Sequence, residues 1–279
     1  RWSCRRVGPF VWTRSEPSFS TEGMRVSESQ EFDGHVAIVT GAASGIGAAA
    51  ARLFSARGAR VVGFDFDPKG AVVIEEIVAG GGEGIFVEGD VADDSAVSEM
   101  VRRAVETFGR LDVAFNNAGI SGPPHPVAEM PLEQWRRALD VMLTGVFLCL
   151  RHEIPAILEA GGGAIVNCAS GAGLIGLPGQ AGYVASKHGV LGPTNTAAPE
   201  HGAAGVRINA VCPGTARTAM VTSVIEETPE LEDELRRLHP LGRIAAPEEI
   251  AEAALWLCSG RASFALGSAL VVDGGYVAQ

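Results

Sequence analysis

A tyrosine and a lysine four residues apart form the first pair in this sequence that could do chemistry. The chain holds only two Tyr and two Lys, and one of each falls in the run YVASK, as Tyr183 and Lys187. On a helix these positions share one face, and a chance match in so small a set is expected at roughly 1 to 2%. A phenol titrates near 10 in water, and a neighbouring ammonium group favours the phenolate. The pair is therefore suited to proton transfer.

A glycine-rich turn, TGAASGIG, is the second feature, and it lies between a β-branched run and an alanine-rich run. Gly41 permits a tight turn, Gly45 lets the backbone approach a ligand, and Gly47 lets the helix pack closely on the strand. With Ser44 and Ile46, this turn opens a helix whose N–H groups can bind a pyrophosphate. The spacing is GxxxGxG rather than GxGxxG, so an ordinary strand-to-helix turn is the alternative interpretation.

Acidic residues follow the next two predicted strands. Asp65 can accept hydrogen bonds from both hydroxyls of an adenosine ribose and would repel a 2′-phosphate, which favours NAD over NADP. The alternative, a carboxylate that caps the next helix, fits Asp67 better. Asp90 and Val91 are expected to contact adenine, with helix capping by Asp90 as an equal alternative.

The elements that position these residues alternate along the chain. Strands are predicted at 35–40, 60–65, 84–90, 111–119, 163–170, 206–214 and 268–275. Helices are predicted to end near 57 and 79, to span 94–108, 132–159 and 247–258, and to start near 180. Strands that are apolar on both faces and separated by helices indicate a parallel sheet covered on each side. We predict one α/β domain over 33–279, a doubly wound, Rossmann-like sheet.

The beginning of the chain differs from this domain. Residues 1–23 contain four Arg and two Glu, together with several Ser and Pro. We predict an N-terminal arm over 1–32, disordered or an extension of the natural start, since Met24 could itself be a start. A mitochondrial transit segment is the alternative. The expected location is therefore cytoplasmic, or mitochondrial if the segment is a genuine transit sequence.

Composition excludes several classes of protein. The 279 residues are 47% apolar and 20% charged, as in a folded globular domain. A net charge of -11 argues against nucleic-acid partners and against anionic membrane surfaces. No uninterrupted apolar run approaches the ~18 residues that span a bilayer, so no membrane segment is expected. Five cysteines without a CxxC pair are expected to be buried free thiols, and no metal site is predicted.

Taken together, the motifs resemble those of the short-chain dehydrogenase/reductase family over residues 33–279. The motifs are TGAASGIG, NNAG at 116–119, Ser170, YVASK, VCPG at 211–214 and VDGG at 272–275. The resemblance implies hydride transfer between NAD(H) and a secondary alcohol or ketone, by a homo-oligomer, either a dimer or a tetramer. An NADPH-dependent ketoreductase and a dinucleotide-binding protein with weak or no catalysis are the alternatives.

The resemblance also implies roles for individual residues. Tyr183 would be the general acid/base, and Lys187 would lower its pKa and hold the nicotinamide ribose. Ser170 would bind the substrate oxygen; without the family, it could merely cap a turn. The residues expected to border the cofactor are Asn117, Ala118, Gly119, Pro213, Gly214 and Thr218.

Two features depart from the family pattern. Met142 stands where an Asn usually completes the catalytic set, and a thioether is a weak acceptor and no donor. We therefore expect a weakened proton relay. Pro193 and Pro199 follow the YVASK run, where interior prolines cost about 3 kcal/mol each. They predict a kinked or shortened helix and a less secure subunit interface.

The substrate side is predicted less sharply. Residues 214–243 show apolar positions at roughly helical spacing with acidic residues between them, which predicts a lid over the cofactor or a plain pair of surface helices. The residues between Ser170 and Tyr183 that are expected to line a mostly apolar pocket are Leu174, Leu177, Pro178 and Gln180.

Overall fold

The computed structural model describes residues 30–228 and 230–278. Within them, one sheet contains β1 (Val36–Thr40), β2 (Arg60–Asp65), β3 (Gly84–Glu88), β4 (Val113–Asn116), β5 (Gly163–Cys168), β6 (Val206–Pro213) and β7 (Ala269–Val272). The helices are α1 (Gly45–Ala56), α2 (Gly70–Ala79), α3 (Asp94–Phe108), α4 (Leu132–Leu139), α5 (Gly145–Glu159), α6 (Ala181–His201), α7 (Ala219–Glu227), α8 (Glu230–Arg237) and α9 (Pro247–Cys258).

The sheet is parallel throughout and has the order β3-β2-β1-β4-β5-β6-β7. Two buried apolar clusters cover its two faces, so that every residue of β1 is buried. This confirms the predicted Rossmann-like fold. The strand order reverses between β1 and β4, and ligands of such sheets bind at the carboxyl ends of the strands beside that switch point.

The N-terminal boundary of the domain lies earlier than predicted. Phe32, assigned to the arm, is 2% exposed, and its ring lies 5.0 Å from the ring of Phe54 in an edge-on arrangement. Glu31 forms ion pairs with Arg57 and Arg261. The folded domain therefore includes these residues because they pack against α1 and the segment after α9. The expectation for residues 1–29, including Cys4, lies outside the described residues.

The predicted helix over 132–159 is present but is not uniform. A π-helical turn over Asp140–Thr144 separates α4 from α5. By length and composition alone, the combined segment Leu132–Glu159 is apolar enough to cross a membrane, contrary to the sequence-based expectation. Its apolar window is 56% buried, and α5 contacts α3, β4 and β5. The high hydropathy thus belongs to a helix that packs within the domain core.

The prediction that the two prolines shorten the helix is wrong. The helix α6 continues for 21 residues through both Pro193 and Pro199. Between them, the buried hydroxyl of Thr194 donates to the carbonyl of Val190 at 2.8 Å and accepts from the side-chain amide of Asn167 in β5 at 2.9 Å. Packing against the sheet therefore maintains a helix that local propensity would interrupt.

A row of hydrogen-bonded polar side chains crosses the buried core between α5 and α6. Glu153 of α5 is fully buried, and one of its carboxyl oxygens accepts from Asn116 Nδ2 at 2.9 Å. The same amide nitrogen donates to Asn167 Oδ1 at 3.0 Å, and Asn167 donates onward to Thr194 of α6. Burial raises the pKa of Glu153 to about 7, against a smaller lowering by the Asn116 hydrogen bond. Compared with the unfolded chain, the folded protein therefore favours the protonated form of the Glu153 carboxyl group.

This burial predicts a fall in stability as pH rises. The pKa of Glu153 is raised from 4.5 in the unfolded chain to about 7 in the folded protein. Its protonated form stabilises the fold at low pH, and that contribution is lost between these two values as pH increases. We expect Glu153→Gln to remove this loss and to stabilise the protein above pH 8 by up to about 3 kcal/mol relative to the parent.

Thermal unfolding of the parent and the variant from pH 5 to pH 9 measures this difference. Glu159→Gln changes an exposed carboxylate on the same helix and is the matched control. A parent-to-variant difference that is the same at every pH, or equal for the two substitutions, would contradict the assignment of this proton to Glu153.

Candidate active site

A cavity of about 700 Å³ lies at the carboxyl ends of the central strands. All predicted catalytic and cofactor-binding residues except Gly47 line it: Gly41, Ser44, Gly45, Ile46, Asp65, Asp90, Val91, Asn117, Ala118, Gly119, Ser170, Tyr183, Lys187, Pro213, Gly214 and Thr218. We call this space the main cavity. Residues that are far apart in the sequence are thus brought together at one edge of the sheet.

The glycine turn after β1 has no room for side chains. Gly41 has a φ of +70° and Gly45 a φ of +53°, which L side chains rarely adopt. A Cβ on Gly47 would lie 2.0 Å from the carbonyl oxygen of Gly41. Gly47 is therefore a packing residue behind the turn rather than part of the cavity wall. The N-terminus of α1 opens at the turn, so its N–H groups can bind an anion.

The turn after β4 is fixed to the glycine turn by a residue that the sequence analysis missed. The hydroxyl oxygen of Thr40, 1% exposed, accepts from the backbone N–H groups of Asn117 and Ala118, both at 3.0 Å. Asn117 returns a side-chain hydrogen bond to the carbonyl of Thr40 at 3.1 Å. The only signal for this role was a polar residue at the end of an apolar strand.

The Asp65 carboxylate is held by the backbone. It accepts from the N–H of Ala43 in the glycine turn at 2.9 Å and from the N–H of Asp67 at 3.0 Å. Asp67 accepts from the N–H of Lys69 at 2.9 Å, in the turn that leads into α2. Asp65 is thus the carboxylate built into the edge of the glycine turn, where the remaining acceptor capacity of its oxygens faces the main cavity.

The helix-capping alternative for Asp90 is wrong. The cap of α3 is Asp93, whose side chain accepts from the N–H of Ser95. Asp90 instead accepts from the N–H of Ala92 at 2.9 Å and forms a 2.8 Å ion pair with Arg137 of α4. Arg137 also lines the main cavity and was not predicted, because nothing in the sequence pairs α4 with the third strand.

The catalytic candidates meet on α6 and at the end of β5. Tyr183 and Lys187 share a helix face, with Lys187 Nζ 5.8 Å from the centre of the tyrosine ring. Lys187 is 4% exposed, and its ammonium group donates to the carbonyl of Cys168 at 2.7 Å. Ser170 accepts from the N–H of Ala172 at 3.1 Å, so it caps the following turn and also lines the cavity. Capping and a place in the site are therefore compatible.

The thiol of Cys168 lies close to this ammonium group. Burial raises the pKa of the Cys168 thiol, while Lys187 lowers it by a smaller amount. The thiol of Cys168 therefore stays neutral and adds no negative charge next to Lys187. As expected, the described cysteines are buried and free, namely Cys149, Cys168, Cys212 and Cys258.

Met142 and Lys187 both approach Gly119 in the turn after β4. A Cβ on Gly119 would be 3.8 Å from Met142 Sδ and 3.9 Å from Lys187 Nζ. Met142 is 1% exposed and lies in the π-helical turn. It also lines a second cavity of about 410 Å³ that shares Tyr183 and Gln180 with the main cavity. The side chain at this position is thus a weak acceptor that cannot donate a hydrogen bond.

The substrate side is formed by two regions. The helices α7 and α8 cover residues 219–227 and 230–237, and Leu231, Leu235 and Leu238 line the main cavity. Of the residues expected between Ser170 and Tyr183, Leu177 and Gln180 line it, whereas Leu174 and Pro178 do not.

One acidic residue of this region, Glu232, forms two ion pairs. Glu232 pairs with Arg217 and Arg236, which lower its pKa. Tyr276 also lines the main cavity, and the sequence analysis did not single it out.

The chain is similar to several known proteins. A family model described as Enoyl-(Acyl carrier protein) reductase matches residues 41–277. Cyclohexanol dehydrogenase of Acinetobacter sp. is 46% identical over 252 residues, covering 90% of this chain and 98% of that protein. For 2,5-dichloro-2,5-cyclohexadiene-1,4-diol dehydrogenase of Sphingobium indicum, identity is 41% over 249 residues, covering 89% and 99% respectively.

A solved structure is also similar. The crystal structure of levodione reductase superposes with a TM-score of 0.85 and 35% identity, covering 88% of this chain and 99% of that one. Motifs, fold and relatives together establish that the chain belongs to the short-chain dehydrogenase/reductase family of oxidoreductases.

Proposed function

We propose that the protein is an NAD-dependent oxidoreductase that interconverts a secondary alcohol and a ketone, with Tyr183 as the general acid/base. The observation that carries this proposal is the position of Tyr183 and Lys187 on one face of α6. That face lines the same cavity as Ser170 and the glycine turn. A proton-transfer group, a hydroxyl donor and a phosphate-binding turn then border one space.

The residues of the glycine turn fit a dinucleotide. Gly41 and Gly45 adopt conformations that expose backbone N–H groups beside the N-terminus of α1, where a pyrophosphate is favoured. The Asp65 carboxylate stands at the edge of this turn and suits the two hydroxyls of an unphosphorylated ribose. A nicotinamide dinucleotide, when bound, supplies or takes the hydride.

The residues of the chain supply position and proton transfer. Ser170 would donate a hydrogen bond to the substrate oxygen, and Tyr183 would give or take the proton at that oxygen. Lys187, held by the Cys168 carbonyl, lies on the helix face that carries Tyr183. Because Lys187 is buried, the charge of its ammonium group acts on the site more strongly than it would in water.

We further propose a neutral, ring-shaped alcohol as the substrate class. The names of the cyclohexanol dehydrogenase and the chlorinated cyclohexadienediol dehydrogenase support this choice. In this chain, the apolar side chains of Leu177, Leu231, Leu235 and Leu238 line the cavity on the substrate side, with Gln180 as a polar group. Such a lining favours a compact apolar ring that carries one hydroxyl.

The proposal includes a soluble, cytoplasmic homo-oligomer. The net charge of -11 and the buried free thiols favour a soluble protein in a reducing compartment. Exposed apolar side chains support association between copies of the chain: Phe147 on α5, and Phe264, Leu266 and Val271 at the β7 edge.

Removal of the tyrosine hydroxyl tests the central assignment. We expect Tyr183→Phe to lower kcat for NAD-linked cyclohexanol oxidation by at least about 100-fold, because the general acid/base is lost. Absorbance of NADH measures turnover, and quenching of protein fluorescence measures NAD binding, which should persist. Ser263→Ala removes an exposed hydroxyl group elsewhere and is the control. Turnover that survives in Tyr183→Phe would exclude the proposed role.

A second candidate function, dinucleotide binding with little catalysis, is favoured by Met142. Dinucleotide binding would replace alcohol oxidation as the proposed function if the parent protein binds NAD but oxidises none of a broad panel of cyclic and open-chain alcohols.

The cofactor preference depends on Asp65. We expect Asp65→Asn to lower the ratio of NADP to NAD dissociation constants at least tenfold, since the repulsion of a 2′-phosphate is removed and a charge-assisted bond is lost. The amide can still accept from Ala43. Asp67→Asn makes the same change of charge two residues away. An equal effect of the two substitutions in fluorescence titrations would sink the assignment to Asp65.

The thioether of Met142, which cannot donate a hydrogen bond, predicts a slow proton relay. We expect Met142→Asn to raise kcat several-fold, because an amide can hold water next to the ammonium group, with the KM for NAD unchanged. Met142→Leu keeps the volume without polarity and should match the parent. Steady-state kinetics measure kcat for the three proteins, and their Tm values show whether the buried amide lowers stability. A Met142→Asn variant that is no faster than Met142→Leu would argue against a relay limited by Met142.

A further inference from the structure

We propose that His239 is a positioning residue that fastens the substrate-side helix α8 to the turn after β6 and, through the ring of Tyr276, to the loop that carries Ser170. The proposal rests on the proposed function in one respect, since it assigns α8 and Tyr276 to the substrate side of the main cavity. The hydrogen bonds and packing that define it are independent of the reaction.

The His239 ring makes two hydrogen bonds of opposite sense. Its Nδ1 lies 2.7 Å from the carbonyl oxygen of Leu235, which can only accept, so Nδ1 carries the hydrogen. Its Nε2 accepts from the backbone N–H of Thr215 at 3.0 Å. The ring is 3% exposed. A neutral imidazole with one fixed tautomer thus joins the end of α8 to the residue that follows Gly214.

Neighbouring backbone leaves little space around the His239 side chain. A Cβ on Gly214 would lie 2.8 Å from His239 Nε2 and 2.8 Å from the Cα of Asp273. A Cβ on Gly274, which has a φ of +62°, would lie 3.5 Å from His239 Cβ. The backbone at Gly214 therefore approaches the ring more closely than a residue with a side chain would allow, and the backbone at Gly274 lies next to the base of the His239 side chain. The ring is held by backbone groups and cannot rotate freely.

The same ring contacts the wall of the main cavity. The centres of the His239 and Tyr276 rings are 5.4 Å apart, with an angle of 33° between their planes. Tyr276 also lies near the loop after β5, where a Cβ on Gly171 would be 3.4 Å from a ring carbon of Tyr276. Gly171 follows Ser170 directly. His239 and Tyr276 are therefore neighbouring groups between α8 and the loop that carries Ser170.

The consequence concerns the shape of the cavity. Leu235 and Leu238, which line it, lie within four residues of His239, so a shift of the histidine displaces both. The other end of this region is fixed separately, because the N–H of Ala245 donates to Thr215 at 3.0 Å and that of Arg217 donates to Ala245 at 2.8 Å. Together with the ion pair between Glu232 and Arg217, His239 therefore attaches α8 over the substrate side of the cavity. Its loss should weaken substrate binding more than hydride transfer.

Four variants separate the two hydrogen bonds. His239→Phe keeps the ring against Tyr276 and removes both bonds. With His239→Asn, an amide N–H remains for Leu235, but the side chain does not reach Thr215, whereas His239→Gln offers an oxygen near the position of Nε2. His201→Phe, at the end of α6 and away from the cavity, is the control.

We expect the KM for cyclohexanol to rise about tenfold in the Phe and Asn variants, with kcat changed less than threefold and the NAD dissociation constant changed less than threefold. The Gln variant should recover most of the parent KM. Parent-like KM values in the Phe and Asn variants, or KM and kcat altered together in all three variants, would overturn the proposal, since a merely structural residue gives no such split and no rescue.

Hydrogen exchange with NAD present provides a readout that requires no turnover. Peptides from residues 230–238 and 171–177 should exchange faster in the Phe and Asn variants than in the parent, and near the parent rate in the Gln variant. A parent without alcohol oxidation would overturn the proposed function, while this exchange pattern would still stand. Faster exchange at 230–238 alone would remove the link through Tyr276, and unchanged exchange at both peptides would overturn the whole proposal. If the Phe variant does not fold, the contrast between Asn and Gln decides.

Discussion

The close contact between the turn after β1 and the turn after β4 is the constraint on which the site depends. There the carbonyl of Gly41 occupies the space that any side chain at position 47 would need, and Thr40 ties the second turn to the first with one oxygen atom. Because both turns lie at the point where strand order reverses, their contact fixes where a dinucleotide can enter. The remaining parts of the site are arranged around this contact by the neighbouring strands.

The helix that carries Tyr183 and Lys187 is placed by the sheet and not by its own sequence. Two interior prolines and several small residues give α6 poor local propensity, yet it is regular over its length because Thr194 is bonded to β5 and because its face packs on the sheet. The positions of Tyr183 and Lys187 therefore depend on buried contacts of α6 with the sheet.

The sequence was sufficient for the fold class and for a set of cofactor and catalytic candidates that nearly all line the cavity, because strand periodicity, glycine spacing and the YVASK run are local signals. It was insufficient where a role depends on a partner that is distant in the chain. Nothing local indicates that Asp90 faces Arg137 or that Thr40 holds the second turn. The expectation of a shortened α6 failed for the same reason, since local propensity carries no information about Thr194 and its partner in β5. Phe32 was assigned to the arm because its partner, Phe54, lies across a strand and a turn.

The polar chain from Glu153 to Thr194 has a further thermodynamic consequence. The proton on Glu153 acts as a ligand of the folded state, and Glu153 lies at one end of a hydrogen-bonded chain whose other end is Thr194 in α6. Linkage between bound ligands is reciprocal. A molecule whose binding at the cavity changes the affinity of Glu153 for its proton has its own affinity changed by that proton by the same factor. Proton uptake or release on binding then measures the coupling free energy between the cavity and this carboxyl group.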